Sequence, residues 1–235
     1  MRSSNKTSRV LRRLRSKCLI LAGMIASIKY CDWIYISVPS TLRSVHDAAA
    51  LSVWHGPSHY TERSIMHAII WPEQYQPGFT DNFVSNEVIE AGLGAAEVWP
   101  WLNDAARWPD YYTNAANVRF YDRAGPALTT GVHFYFETFG FPVEAQVVEQ
   151  QAPGAGQPGR LAWYGWAGEG DTRLDVHHAW LIEDLSGGRV RILTQETQNG
   201  KPALELARTR PNPMLNGHQT WLDGLVAAAR RASRA

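Results

Sequence analysis

Cysteine is almost missing from this 235-residue chain: Cys18 and Cys31 are the only two, so residues 66–235 can form neither a disulfide nor a thiol site. Nothing there requires an oxidising compartment, and a reducing cytoplasm is the expected location. Signature motifs are missing too. No glycine loop cradles a phosphate, no Gly-x-Ser-x-Gly marks a nucleophile, and no Cys or His spacing suits zinc, so no metal and no cofactor is expected. The segment "GAGQPG" (Gly154–Gly159) contains proline and opens no helix, which makes it a turn rather than a dinucleotide fingerprint. No internal repeat is visible. The apolar stretch from Cys18 to Ile28 is interrupted by Lys29 and Asp32, well short of the roughly 20 apolar residues of a spanning helix.

Charge is scarce overall, with a net value of +1, yet it is unevenly spread. Residues 1–65 hold ten Lys/Arg against three Asp/Glu, and the remainder is acidic, with 13 against 19. An acidic domain without a basic patch is not expected to bind nucleic acid. The basic start of "RVLRRLRSKCLILAGMIASIKYCDWIYISV" (Arg9–Val38) has the outline of a signal peptide without a clean cleavage site, "GMIAS" being a loose match. Three readings of residues 1–65 stay open: an upstream extension preceding a true start at Met66, a targeting or anchoring segment, or an unpatterned arm. Membrane contact or export is expected only under the second.

What is present downstream is pattern. "NFVSNEVIEAGL" (Asn82–Leu93) alternates as a strand. "AAEVWPWLNDAARWPDYY" (Ala95–Tyr112) has helical spacing, but Pro100 and Pro109 forbid one long straight helix, so two short helices are expected, with Asp104 capping the second. Six strand segments follow: Asn117–Asp122, Gly131–Phe139, Phe141–Gln150, Arg160–Gly168, Arg173–Asp184 and Arg189–Gln198. Turn-rich joints such as "PGAGQPG" and "SGG" separate them, and that arrangement builds an antiparallel sheet. The last element, "PNPMLNGHQTWLDGLVAAARRASR" (Pro211–Arg234), opens on an Asn212–Pro213 cap and aligns Leu215, His218, Trp221, Leu222, Leu225 and Ala229 on one stripe.

This order implies an α+β fold of about six to seven curved antiparallel strands wrapped around a long C-terminal helix, with a gap between the two. Asn82 to Ser233 resembles the START-like helix-grip (SRPBCC) superfamily, in its polyketide cyclase/dehydrase-type group. The residues carrying the resemblance are "AAEVWPWLNDAARWPDYY" and "PMLNGHQTWLDGLVAAA". It covers nearly all of 66–235 and none of 1–65. The superfamily includes lipid carriers, hormone receptors and cyclases, so the resemblance is specific for fold and not for chemistry.

The strand opening "RILTQETQNGK" (Arg191–Lys201) begins apolar and turns polar without a turn signal before Gly200. Arg189 and Arg191 suit solvent, which places Val190, Ile192, Thr194, Glu196 and Gln198 inward. On the preceding strand Leu174, Val176, His178, Trp180 and Ile182 form the matching face, with Asp175 and His177 outside. Either Glu196 lies beyond the sheet edge in water, or it is paired inside a water-holding pocket with aromatic walls. His178 and His218 are either packed, hydrogen-bonded histidines or pocket groups. The adjacent His177–His178 pair is no metal site, because neighbouring strand residues point to opposite faces.

Candidate ligand-binding residues are Trp108, Tyr112, Phe134, Phe136, Trp163, Trp180, Thr194, Gln198 and His218. The ligand would be small and hydrophobic: aromatic, polyketide-like or lipid-like. The alternative is a cyclase, dehydratase or isomerase acting on a polyketide-like carbonyl compound. In that case His178 would move the proton, Glu196 would set its tautomer or act as base, and Tyr164 would donate to the developing enolate. A third possibility is an interaction protein whose cavity is filled by side chains. Whether Trp163 or Tyr164 faces inward, and the oligomeric state, are open from sequence.

Overall fold

Period-two alternation resolves into one seven-stranded antiparallel sheet, in the order β1-β7-β6-β5-β4-β3-β2. The computed structural model describes residues 66–234, so the readings of residues 1–65 lie outside the described residues. The strands are β1 (Asn82–Ala91), β2 (Ala115–Phe120), β3 (His133–Thr138), β4 (Phe141–Gln151), β5 (Gly159–Ala167), β6 (Leu174–Leu185) and β7 (Arg189–Asn199). Consecutive strands from β2 to β7 are neighbours, and only β1 closes from the far side onto β7. The helices are α1 (Ala95–Asn103), α2 (Trp108–Tyr111), α3 (Lys201–Arg208) and α4 (Pro213–Ala232). No helix among the described residues is long and apolar enough to cross a membrane.

Helix α4 has 20 residues and so is about 30 Å long. The Asn212 carboxamide accepts from the backbone N–H groups of Met214 (2.9 Å) and Leu215 (3.3 Å), satisfying donors that the first turn leaves free. Its inward stripe buries His218, Trp221, Leu222, Leu225 and Ala229 against the sheet. Leu215, expected on that stripe, is instead exposed: it falls at the stripe's edge, where only its carbonyl meets the sheet, accepting from Asn86 of β1 (3.1 Å).

Two glycines let this helix be approached closely. The Phe139 ring lies where a side chain on Gly217 would be. Phe139 and Gly140 form the two-residue β3–β4 turn, both at positive φ (51° and 77°), as a type I′ hairpin turn demands. A Cβ on Gly224 would collide with the carbonyl oxygen of Tyr111 at the end of α2. Neither backbone can yield cheaply, so Gly224→Ala is expected to destabilise by about 1–3 kcal/mol. The propensity gain of about 1 kcal/mol offsets this only in part. An unshifted urea midpoint would show instead that the two helices separate freely.

The expected two short helices form in place of one long one, with Pro100 inside the first. That helix runs through the proline to Asn103 and stops at Asp104, whose backbone turns extended. The Asp104 carboxylate accepts from Ala106 N (3.2 Å), capping a 3-10 turn that leads into α2.

The outer face of the sheet is not the solvent face expected. Residues 66–75 lie over it, placing Ile69 and Trp71 on Ala162, Ala179, Leu181 and Leu193. Tyr75 stacks on His177 at 5.7 Å. Arg191 and His177 are therefore buried, and Arg191 is satisfied by ion pairs with Glu87 and with Glu183 (Nη1–Oε1 2.7 Å) and by the His67 carbonyl (2.8 Å). Residues 66–81 carry no periodicity, which is why sequence gave no sign of this cover.

Candidate functional site

Strand register explains where the polar half of β7 ends up. One inward row crosses five strands in sequence: Val147 pairs with Trp163, Trp163 with His178, His178 with Glu196 and Glu196 with Val84. The next rungs on either side set Trp180 opposite Thr194 and Val176 opposite Gln198. Glu196 therefore lies inside the sheet, only 4% exposed, and not in water beyond its edge.

Its carboxylate is held by two side chains. His178 Nδ1 is 3.0 Å from Glu196 Oε2, Gln198 donates its side-chain N–H to Oε1, and Asn82 fixes Gln198 through a 2.6 Å hydrogen bond. The other nitrogen of His178, Nε2, is 2.8 Å from the Thr194 hydroxyl, which can donate or accept; with the ring proton on Nδ1, both nitrogens are satisfied, by Glu196 and by Thr194. His218 comes down from α4 and stacks on His178 with ring centres 4.6 Å apart. Its Nε2 lies 3.6 Å from Glu196 Oε2, too far for a hydrogen bond. Neither nitrogen of His218 has a hydrogen-bond partner among the described residues, although the side chain is 1% exposed.

Burial pushes the Glu196 carboxyl up, but the imidazoles of His178 and His218 outweigh it and hold the group below the usual carboxylate range. Burial pushes His178 down to about 4 despite the adjacent carboxylate. The interior thus holds an ionised carboxylate beside a neutral imidazole that donates to it.

This cluster forms one wall of a cavity of about 720 Å³ between the sheet and α4. Most of the remaining wall is apolar, from Tyr112, Phe136, Val143, Trp163, Val176 and Trp221, although Thr138, Glu205 and Thr209 also reach it. Towards the surface it is bounded by Phe139 of the β3–β4 turn and Phe141 at the start of β4, by Gly168 and Thr172 between β5 and β6, by α3 through Pro202 and Leu206, and by Met214.

The candidate residues from sequence divide three ways. His178, Glu196, Tyr112, Phe136, Trp163, Gln198 and His218 come together on the cavity. Trp108, Phe134, Trp180 and Thr194 do not line it. Trp108 packs edge-on against Phe134, Phe136 and Trp221 and donates its N–H to the Leu102 carbonyl (2.9 Å); Phe134 and Trp180 are core, and Thr194 anchors His178. Tyr164 is on the opposite face, donating to Asp175 and accepting from Arg173 (3.2 Å), because strand alternation sends it out once Trp163 points in. It cannot meet anything in the cavity.

Sequence reasoning missed α3, Phe139, Leu206, Trp221 and Asn82 as parts of the site. The signal for α3 was local: Gly200 followed by Lys201–Pro202, with proline in the first helical turn. Nothing local marks Asn82, which is placed by the pairing of β1 with β7, residues more than a hundred positions apart.

No protein-family model matches this chain, and no curated protein does. Among solved structures, a hypothetical protein of Helicobacter pylori, jhp0584, is similar at 53% identity, over 70% of this chain and 98% of its own, with a TM-score of 0.68. The di-domain ARO/CYC protein StfQ from the steffimycin biosynthetic pathway is similar at 13% identity and a TM-score of 0.50, over 66% of this chain and 54% of its own. The chain spans about half of that two-domain protein, and the likeness is one of fold. With its curved antiparallel sheet closed around α4, this chain has a helix-grip fold and belongs to the family of the Helicobacter pylori protein.

Proposed function

We propose that the cavity binds a small, largely apolar molecule, aromatic or polyketide-like, that presents one polar group to Glu196 and His218. The carrying observation is the cavity itself: about 720 Å³, walled mostly by aromatic and aliphatic side chains, with His178, Glu196, Gln198 and His218 together on one wall. That volume lies within the ordinary range for small-molecule sites, roughly 300–1,000 Å³. Aromatic rings supply contact area, while the cluster orients the ligand. Native mass spectrometry of the protein purified from its own host should show a retained small molecule. In vitro, a hydrophobic fluorescent probe should bind at one site and quench tryptophan emission from Trp163 and Trp221. Val143→Trp places an indole in the cavity from its β4 wall and is expected to weaken the probe by at least about tenfold. Probe binding unaffected by that variant would remove the cavity from consideration.

A second reading is enzymatic, and one observation favours it: His218, whose ring nitrogens have no hydrogen-bond partner among the described residues, stands beside the Glu196 carboxylate on the same cavity wall. In that reading the chain acts as a polyketide cyclase or dehydratase. His218 takes the proton from a carbon next to a carbonyl and returns it to carbon or to the departing oxygen, while Glu196 and His178 orient it. The assignment of proton transfer moves away from His178, whose two nitrogens are engaged by Glu196 and Thr194. Solvent-deuterium exchange into a β-diketone, followed by NMR, tests this: His218→Ala should abolish the exchange, and exchange at the wild-type rate in that variant would leave binding alone.

A further inference from the structure

We propose that His178, Glu196 and His218 form a binding site for one divalent first-row transition metal ion of the zinc type. The three side chains come from β6, β7 and α4, so no sequence spacing announces them. Each offers one ligand atom, and these atoms lie within 4.8 Å of one another. Two of the separations are known individually: 3.0 Å from His178 Nδ1 to Glu196 Oε2 and 3.6 Å from His218 Nε2 to the same oxygen. A tetrahedral zinc ion with bonds of 2.0–2.2 Å spaces its ligand atoms by about 3.3 Å, between those two values.

Two imidazoles and one carboxylate suit zinc, cobalt or iron(II) better than calcium or magnesium, which prefer oxygen ligands. Three observations beyond proximity point the same way. Both nitrogens of His218 are buried and unpartnered on the cavity wall, an arrangement that costs free energy unless something accepts from or coordinates to the ring. Its Nε2 already faces Glu196 Oε2, at 3.6 Å. The supporting contacts that metal ligands usually have are already in place. With its proton on Nε2, His178 donates to Thr194 and leaves the Nδ1 lone pair for the ion, while Gln198, held by Asn82, grips the other oxygen of Glu196.

An ion here would also supply the positive charge that the buried carboxylate lacks, for among the described residues no Lys or Arg side chain lines the cavity. Three protein ligands leave a fourth position open, and all three residues border the cavity, so that position is accessible from it. Resting on the cavity reading, this narrows the ligand class: the polar group presented at this end would be an oxygen donor such as a carbonyl, enolate or carboxylate.

The test is a cobalt(II) titration of the tag-free full chain after chelator treatment, followed by visible absorption, with zinc as competitor. One equivalent is expected to bind, with ligand-field bands displaced by zinc. Glu196→Gln and His218→Ala should each weaken binding by about 100-fold or more, while His177→Gln, on the opposite face of the sheet, should leave it unchanged. Absence of saturable one-to-one binding, or binding undiminished in both ligand variants, overturns the proposal. Should those variants not fold, 15N-resolved imidazole spectra of the wild type decide. Zinc must shift Nδ1 of His178 and Nε2 of His218, and shifts confined to other histidines overturn the site. Probe binding to the metal-free protein keeps the two readings apart: metal uptake without probe binding removes only the apolar ligand, and probe binding without metal uptake removes only the ion.

Discussion

Trp108→Ala is expected to lower the unfolding free energy by about 3–5 kcal/mol, the range for deleting a large aromatic side chain from a core. Trp108 has no exposed surface and lies at the junction of α2, the sheet and α4. Its ring centre is 5.0 Å from that of Trp221, 5.4 Å from those of Phe136 and Trp163, and 5.8 Å from that of Phe134. These partners are rigid and hold one another, so the void cannot collapse fully, and the loss should fall in the upper part of the range. Trp108→Phe isolates the smaller contribution of the indole N–H: the Leu102 carbonyl would lose its donor, at about 1–3 kcal/mol. Urea denaturation measures both. The alanine variant should also accept a bulkier apolar probe, because Phe136, Trp163 and Trp221 are shared between this packed cluster and the cavity. A loss below about 1 kcal/mol would mean that the interior near α2 is loosely packed, against the burial described.

Arg191→Ala should cost a similar amount, about 3–5 kcal/mol, for an electrostatic reason. The guanidinium is 7% exposed and pairs with two carboxylates, Glu183 and Glu87, while donating to the His67 carbonyl. Truncation leaves Glu183, itself 5% exposed, with only His67 as a partner. Burial pushes the Glu183 carboxyl up, but its hydrogen bonds from His67 and Arg191 outweigh this and hold it below the usual range. The wild-type contribution is therefore complete above the unfolded value of about 4.3 and is lost as pH falls through the lower folded value. In the variant the carboxyl is raised instead, and its burden is relieved as pH falls. The gap between the two proteins should thus narrow in acid. The double variant Arg191→Met/Glu183→Leu should recover most of the loss, since it leaves no buried charge orphaned, Glu87 being exposed enough to be hydrated. Proteolysis near residues 66–71 should quicken in the single variant, because His67 is tied down through this network. Equal stability of wild type and Arg191→Ala across the pH range would show the ion pairs to be idle.

The fold was largely legible because its information is local. Strand alternation, turn-rich joints and the Asn212–Pro213 cap each act over a few residues, and all seven strands fall within a few positions of their expected bounds. The inward face of β7 followed from the same alternation, and with it the meeting of His178 and Glu196. What stayed hidden is long-range. Burial of Arg191 depends on residues 66–75 lying over the sheet, and a charged strand residue looks the same in sequence whether or not something covers it. Tyr164 could not be oriented because β5 carries large aromatics on both faces. Trp108, Phe134 and Trp180 are of the same residue types as the true cavity wall, and only packing separates filled space from empty space. The trio of His178, Glu196 and His218 depends on how far α4 sits above the sheet, a distance no spacing encodes.

The cavity is assembled from two kinds of chain. Its polar end lies on the mid-portions of β6 and β7, where each residue is locked by neighbours on both sides. Its outer boundary lies on the Phe139–Gly140 turn and on α3, short pieces that hold no rung of the sheet. Changes in the outer pieces can alter which molecules enter without disturbing the groups that meet them, so guest size and reactive chemistry can evolve separately. Divergence among members of this family should therefore concentrate at the entrance while the interior trio persists.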